Sequence, residues 1–258
     1  MEKQMNSQIE KALNAVVKLD AWDIQSVLGG VNYITRQAAI NTVVRMIPEP
    51  PEEGSGLEGF TAWEQHMKDP AIKKAVSPFV GIADRVTDVL NEYTDLPPSQ
   101  YEDVLAFMVQ RPPQRSTFVN EYDNRKKLGM RPAMPLSTFV DMEYATALTR
   151  HQHLVAKGEA AVHVLHSVEG SEESAPEWLD EAIMMKVHQK LEQRWMRAEL
   201  RRTNPKITKD DRDLAEANQL LIEQVIEEIG GKKPSFAEDL KASDDVEDFI
   251  EALKKKTV

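Results

Sequence analysis

The sequence contains no cysteine. This absence excludes disulfide bonds, thiolate zinc sites, iron–sulfur clusters and cysteine nucleophiles together. Long apolar runs are also absent, and none approaches the ~20 residues that a membrane-spanning helix requires. The first residues, MEKQMNSQIEKAL, lack the apolar stretch of a signal peptide. We therefore expect a chain that is not secreted by a signal peptide and does not contact a membrane.

Recognisable catalytic motifs are missing as well. The sequence has no Walker A, GxSxG, kinase or HExxH pattern. Residues 54–59, GSGLEG, match GxGxxG, but the preceding PEPPEE excludes a central strand and places carboxylates where a phosphate would sit. We therefore expect no cofactor and no enzymatic activity.

The net charge is strongly negative, with 43 acidic and 32 basic residues giving −11. A uniformly acidic surface repels nucleic acid and anionic membranes, so contact with either requires a local basic patch. The 258 residues are enough to bury about 70–75% of the unfolded surface, so the fold needs no covalent or metal support.

Capping pairs and apolar residues at helical spacing recur along most of the chain and predict an all-α fold. We expect a multi-helix, bundle-like array with an acidic linker rich in proline and glycine and a short C-terminal amphipathic helix. The capping pairs are Thr61 with Glu64, Ser99 with Glu102, Ser174 with Glu177, Thr208 with Asp211 and Asp244 with Glu247.

Several predicted helices have ends or packing faces that the residue pattern defines. A helix from about Asp20 ends at Gly29-Gly30, and a second helix runs from Tyr33 to Ile47. The longest helix, about 137–168, has a packing face that includes Gly158. The next helix, about 175–202, buries Leu179, Ile183, Val187, Leu191, Trp195 and Ala198, and the one after it is marked by Leu214, Leu221, Val225 and Ile229.

Composition divides the chain into four parts. We predict an N-terminal helical segment at 1–47, an acidic Pro/Gly linker at 48–59, a main helical domain at 60–231, and a C-terminal hinge and docking helix at 232–258. The linker is expected to contain no regular structure.

Basic residues line one edge of the predicted helix 175–202. Residues 186–209 contain eight basic and two acidic residues, a net charge of +6, whereas 210–258 carry a net charge of −7. This edge is a candidate nucleic-acid surface or a surface that pairs with acidic residues of a protein. Its candidate binding residues are Lys186, Lys190, Arg194, Arg197, Arg201 and Arg202.

Histidines cluster in the predicted long helix. His163 and His166 are three residues apart, and Glu159 is four residues before His163, so the three side chains share one flank. This flank is a candidate for part of a divalent metal site, although further ligands from another element are needed.

The clearest modular signal is the stretch SDDVEDFIEALKKKTV. Its apolar residues, Val246, Phe249, Ile250 and Leu253, follow the i, i+3, i+4, i+7 spacing of an amphipathic helix. Acids crowd its start and lysines its end, which complements the helix dipole. A helix this short is marginal alone, so we expect these four residues to bind a protein partner or, as the less favoured alternative, the chain's own body.

These observations support a ranked set of hypotheses. The leading one is a non-enzymatic helical adaptor or assembly protein that self-associates or docks on a protein partner in the cytoplasm or a virion. Virion and phage structural or assembly components share this composition, which is an analogy of composition only. The alternative is a nucleic-acid-binding accessory protein that uses residues 186–209, and the third is a helical metal-binding protein.

Overall fold

The computed structural model describes residues 7–51, 56–130, 134–171, 176–232 and 234. Every regular element in these ranges is an α-helix, which confirms the predicted all-α, multi-helix array. The helices are α1 (Ser7–Val16), α2 (Ala21–Met46), α3 (Gly56–Met67), α4 (Pro70–Tyr93), α5 (Tyr101–Val109), α6 (Arg115–Lys127), α7 (Leu136–Leu165), α8 (Glu177–Arg202) and α9 (Lys209–Glu228).

The chain divides into two compact units, and the boundaries at 31/32 and 88/89 fall within the helices α2 and α4. Unit 1 comprises Met1–Met5, Asn32–Asp88 and Pro98–Ala175, and unit 2 comprises Asn6–Val31, Val89–Pro97 and Pro176–Val258. This division is based on which residues pack together, whereas the four domains predicted from the sequence are based on linker composition. The four predicted domains stay a prediction. None of the helices in the described ranges is long and apolar enough to span a membrane.

Unit 2 is built around α8, which packs against α9 and α1. The six residues predicted for the buried face of α8, from Leu179 to Ala198, are all buried. Their burial confirms the prediction. The sequence could identify this face because the apolar residues of α8 form one continuous stripe at helical spacing.

The apolar residues that mark α9 in the sequence are only partly buried. Val225 is buried, whereas Leu214 and Leu221 are exposed, and the buried face also contains Ala215, Gln219, Ile222 and Ile226. Leucines occupy more than one face of α9, so their spacing does not identify the inner one. The Gln219 Nε2 donates to the Glu199 Oε2 at 2.9 Å, which fixes the observed face against α8.

The predicted helix end at Gly29-Gly30 is wrong, because α2 continues through both residues. Glycine inside a helix costs about 1 kcal/mol relative to alanine, which packing can offset. At Gly30 a Cβ would lie 3.2 Å from the Lys190 Cε, so the missing side chain lets α8 approach closely. Residues 33–46 of the second predicted helix are helical, as expected.

Unit 1 uses glycine for close approach in two places. Gly158 is buried in α7, and a Cβ there would clash with the Leu105 side chain of α5, which confirms Gly158 on the packing face. At Gly81 of α4 a Cβ would clash with the Ser171 carbonyl oxygen. The Ser171 N–H also donates to the Ser77 carbonyl at 3.0 Å, so the backbone after α7 lies directly on α4.

The predicted linker is shorter than expected. Helix α3 begins at Gly56, so residues 56–59 are helical, and residues 52–55 lie outside the described ones. Thr61, predicted to cap this helix, lies inside it, where its hydroxyl donates to the Leu57 carbonyl at 2.8 Å. The helix therefore uses several residues that composition alone assigned to the linker.

The remaining capping predictions have mixed outcomes. Thr208 caps α9, with its Oγ1 accepting from the Asp211 N–H at 3.2 Å, as predicted. Helix α5 is capped one residue later than expected, at Gln100, whose N–H donates to the Asp103 carboxylate at 3.1 Å. Ser174 and the predicted C-terminal helix with its cap Asp244 lie outside the described residues.

Candidate functional site

A groove of about 620 Å³ opens in unit 2 between the end of α8, the start of α9 and the start of α2. Its apolar lining consists of Trp22, Ala198, Leu200, Ile207, Leu214, Ala215 and Ile222. Its polar lining consists of Asp23, Arg194, Arg197, Arg201, Asp211 and Asn218.

Local sequence features bring these walls together. The Asp20 carboxylate accepts from the Asp23 N–H at 2.7 Å and so caps α2, which places Trp22 in its first turn. Ile207 lies in the short connection between α8 and α9, and the Thr208 cap starts α9 directly after it. The groove therefore depends on two helix starts and one tight connection.

Three large apolar side chains of the groove face solvent. Trp22 is 61% exposed, Leu200 47% and Leu214 61%. Covering a large apolar side chain is worth roughly 1.5–3 kcal/mol. Single exposed apolar residues are ordinary, but a contiguous group that lines one concave surface is typical of a binding site.

One ion pair supports a wall of the groove. The Arg194 Nε donates to the Asp23 carboxylate, and the Arg194 guanidinium lies 5.7 Å from the centre of the Trp22 ring. Asp23 is only 3% exposed. Burial raises the pKa of the Asp23 carboxyl above its ordinary value, and Arg194 acts in the opposite direction. Arg194 thus holds Asp23 and Trp22 in place.

The rim of the groove carries positive charge. Arg197 and Arg201 are exposed and line the groove, and neither forms an ion pair within the described part of the chain. The nearby Asp211 carboxylate accepts from the Thr208 hydroxyl at 2.6 Å. The groove therefore presents two guanidinium groups beside apolar side chains.

The basic edge predicted from the sequence does not form one uniform surface. Arg202 donates through Nε and Nη2 to the Glu199 carboxylate at 2.9 and 2.8 Å, and these bonds lower the pKa of Glu199. Burial, together with the neighbouring cations, lowers the pKa of Lys190, whose side chain lies against α2 at Gly30. Arg194 is bound to Asp23, so two of the six candidate residues are paired with acids of unit 2.

The histidine flank does not gather into a metal site. Glu159 and His163 are exposed, and the His166 Nε2 lies 2.7 Å from the Glu102 carboxylate of α5. Across the described ranges, no group of three or more His, Cys, Asp or Glu side chains is arranged to hold a metal ion. The metal hypothesis therefore gains no geometrical support.

Unit 1 has a buried polar cluster around Arg36, which is 4% exposed. Its guanidinium donates to the Asn32 amide oxygen at 3.3 Å and to the Thr87 hydroxyl at 3.1 Å. It also lies 4.4 Å from the centre of the Tyr101 ring, and burial raises the pKa of Tyr101 to about 12. These groups bind one another, which is typical of a network that specifies packing.

The groove was not predicted from the sequence. The residue pattern used Leu214 only to mark a helix, and it gave no role to Trp22 or Leu200. A weak signal was present, since Leu200 and Leu214 stand beside the small residues Ala198 and Ala215 on the two sides of one helix connection. The predicted partner-binding residues Val246, Phe249, Ile250 and Leu253 lie outside the described residues.

Comparison with known proteins assigns no family to this arrangement. No protein-family model, no curated protein and no solved structure matches the chain. The groove and its charges are therefore the features from which a function can be inferred.

Proposed function

We propose that this protein is a non-enzymatic helical adaptor or assembly protein whose unit 2 groove receives an acidic amphipathic helix of a protein partner. One observation carries the proposal: the exposed side chains of Trp22, Leu200 and Leu214 line the same groove as the guanidinium groups of Arg197 and Arg201.

The chemistry of the groove favours a helix with apolar and acidic faces. An amphipathic helix docks by placing side chains at i, i+3, i+4 and i+7 into an apolar groove. Arginine at the rim binds carboxylates through paired hydrogen bonds and so fixes the orientation of such a helix. Because the chain as a whole carries a charge of −11, an acidic partner is repelled elsewhere, which directs it to this patch.

The polar residues of the groove support a binding role rather than catalysis. Its two carboxylates are already engaged, Asp23 by Arg194 and Asp211 by Thr208. The remaining polar lining consists of arginine and asparagine, and the lining contains no nucleophile beside a base. The composition-based analogy with virion components stays a prediction.

Binding of a defined probe tests the proposal. The probe is a labelled synthetic helix with apolar residues at i, i+3, i+4 and i+7 and carboxylates on its flanks, and its affinity is measured by fluorescence anisotropy. The protein carries Phe249→Asp and Leu253→Asp so that its own amphipathic segment does not compete. We expect Arg197→Glu with Arg201→Glu to weaken binding at least about tenfold, because both rim charges reverse.

The matched control is Lys209→Glu with Arg212→Glu. It makes the same charge change at exposed positions of α9 that do not line the groove, so affinity should hold. An equal loss of affinity in both variants would show that the effect depends on the overall charge of the protein and not on the groove, and it would contradict the proposal. Binding of a single-stranded oligonucleotide through Arg197 and Arg201, with no binding of the peptide, would replace it with the nucleic-acid alternative.

A further inference from the structure

We propose that the groove of unit 2 is occupied in cis by this chain's own residues 244–255, the acidic segment, which must be displaced before a partner binds. This inference rests on the proposed function and adds a mode of regulation to the same site.

The acidic segment has the chemistry that the groove selects. Its predicted apolar face carries Phe249 and Leu253, and four carboxylates lie within residues 244–248. The groove offers exposed Trp22 and Leu214 and the two guanidinium groups of its rim. Apolar surface therefore meets apolar surface, and carboxylates meet the rim arginines.

The path of the chain after α9 lets the segment reach the groove. Helix α9 ends at a left-handed glycine, Gly230, with φ +85°, and the Gly231 N–H donates back to the Ile226 carbonyl oxygen at 2.8 Å. This turn leaves Gly231 against the His188 side chain of α8. From His188 to the groove residue Arg201 the helix rises roughly 20 Å, at 1.5 Å per residue.

Twelve residues, 232–243, connect this turn to the acidic segment. Fully extended, they span up to about 40 Å, which is roughly twice the rise along α8. A connection of this length gives its two ends an effective concentration in the millimolar range. The cis contact is therefore favoured over the same contact between two chains at ordinary protein concentrations.

Probe affinity in two full-length chains tests the inference. The same labelled acidic helix is titrated into the wild-type chain and into Phe249→Asp with Leu253→Asp. We expect the variant to bind at least about tenfold more tightly, which corresponds to a wild-type groove that is free about a tenth of the time. The control, Ala242→Asp with Thr257→Asp, adds the same charge outside the acidic segment and should bind like the wild type.

The outcomes separate this inference from the proposed function. Equal affinity in the wild type and the variant would overturn cis occupation while the proposed function stands. Absence of probe binding in every chain would instead remove the proposed function and, with it, the inference.

Photo-cross-linking from a photo-reactive residue in place of Phe249 tests cis occupation of the groove independently. Cross-links to α8 or α9 groove residues within one chain, independent of protein concentration, would support the proposal. Cross-links between two chains, or none to the groove, would overturn it.

Discussion

Two arginines, one in each unit, have largely buried side chains and different kinds of hydrogen-bond partner. Arg36 in unit 1 binds neutral groups, Asn32 and Thr87, and stacks on the Tyr101 ring. Arg194 in unit 2 binds the buried carboxylate of Asp23 and lies beside Trp22, which remains exposed. The first arrangement belongs to a closed core, whereas the second supports one wall of an open groove.

Each unit has contacts that a single substitution should disrupt. Unit 1 depends on close contacts at Gly81 and Gly158, where the backbone or side chain of a neighbour fills the space of a Cβ. Unit 2 has a close glycine contact as well, at Gly30, and it also holds the ion pair of Arg194 with the buried Asp23 carboxylate. Added volume at Gly81 or Gly158 should therefore destabilise unit 1, and loss of the Arg194 charge should destabilise unit 2.

The largest expected effect is the loss of the ion pair in unit 2. Arg194→Met leaves the Asp23 carboxylate buried without its partner, which typically costs about 3–5 kcal/mol of unfolding free energy. Urea denaturation at neutral pH measures this loss. If the loss were below about 1 kcal/mol, the size of an exposed pair, the pair would not support the groove wall.

The pH dependence of this variant has a definite sign. Burial already raises the pKa of Asp23 in the folded chain, and removing Arg194 raises it further. The folded chain then takes up a proton before the unfolded one as pH falls, so the penalty is largest at neutral pH and shrinks as pH falls through the raised pKa. Asp23→Asn in the same chain should abolish this trend and recover part of the stability.

A steric change in unit 1 should have the next largest effect. Gly81→Ala places a methyl group on the Ser171 carbonyl oxygen, a backbone atom that can move only with its loop. Overpacking of this kind costs about 1–3 kcal/mol. Thermal denaturation measures the change in stability.

Gly29→Ala is the matched control for this substitution. At Gly29 a Cβ has only an ordinary contact, 3.5 Å from the Gln25 Nε2, within helix α2. Alanine there should stabilise the chain by about 0.5–1 kcal/mol through helix propensity. Stabilisation by both variants would show that the contact between α4 and residue 171 is not tight.

The smallest effect is expected at the exposed pair of unit 1. His166→Ala removes the contact with Glu102 and should cost less than about 1 kcal/mol, because both side chains are exposed. A backbone N–H and His166 lower the pKa of Glu102, so the contribution is present at neutral pH and is lost as pH falls through that lowered pKa. His163→Ala, at a neighbouring exposed position, serves as the control in the same denaturation experiment.

The sequence predicted correctly those features that depend on residues close together in the chain. The buried face of α8 followed from one unambiguous stripe, and the Thr208 cap followed from residues three positions apart. The end predicted at Gly29-Gly30 was wrong because the deciding contact, Lys190 against Gly30, joins residues far apart in the chain. The groove was missed for the same reason, since Trp22, Leu200 and Leu214 come to line one groove only after folding.

Two leucines of α9 allow the most direct test of the groove as a protein-binding site. Leu214 lines the groove and Leu220 does not, yet they are 61% and 53% exposed, so neither substitution by aspartate should unfold the chain. The measurement is the affinity of the acidic helical probe for the chain with Phe249→Asp and Leu253→Asp, with either change added. Leu214→Asp should weaken binding at least about tenfold and Leu220→Asp should leave it unchanged. Equal affinity for the two variants would contradict the assignment of the groove as the binding site.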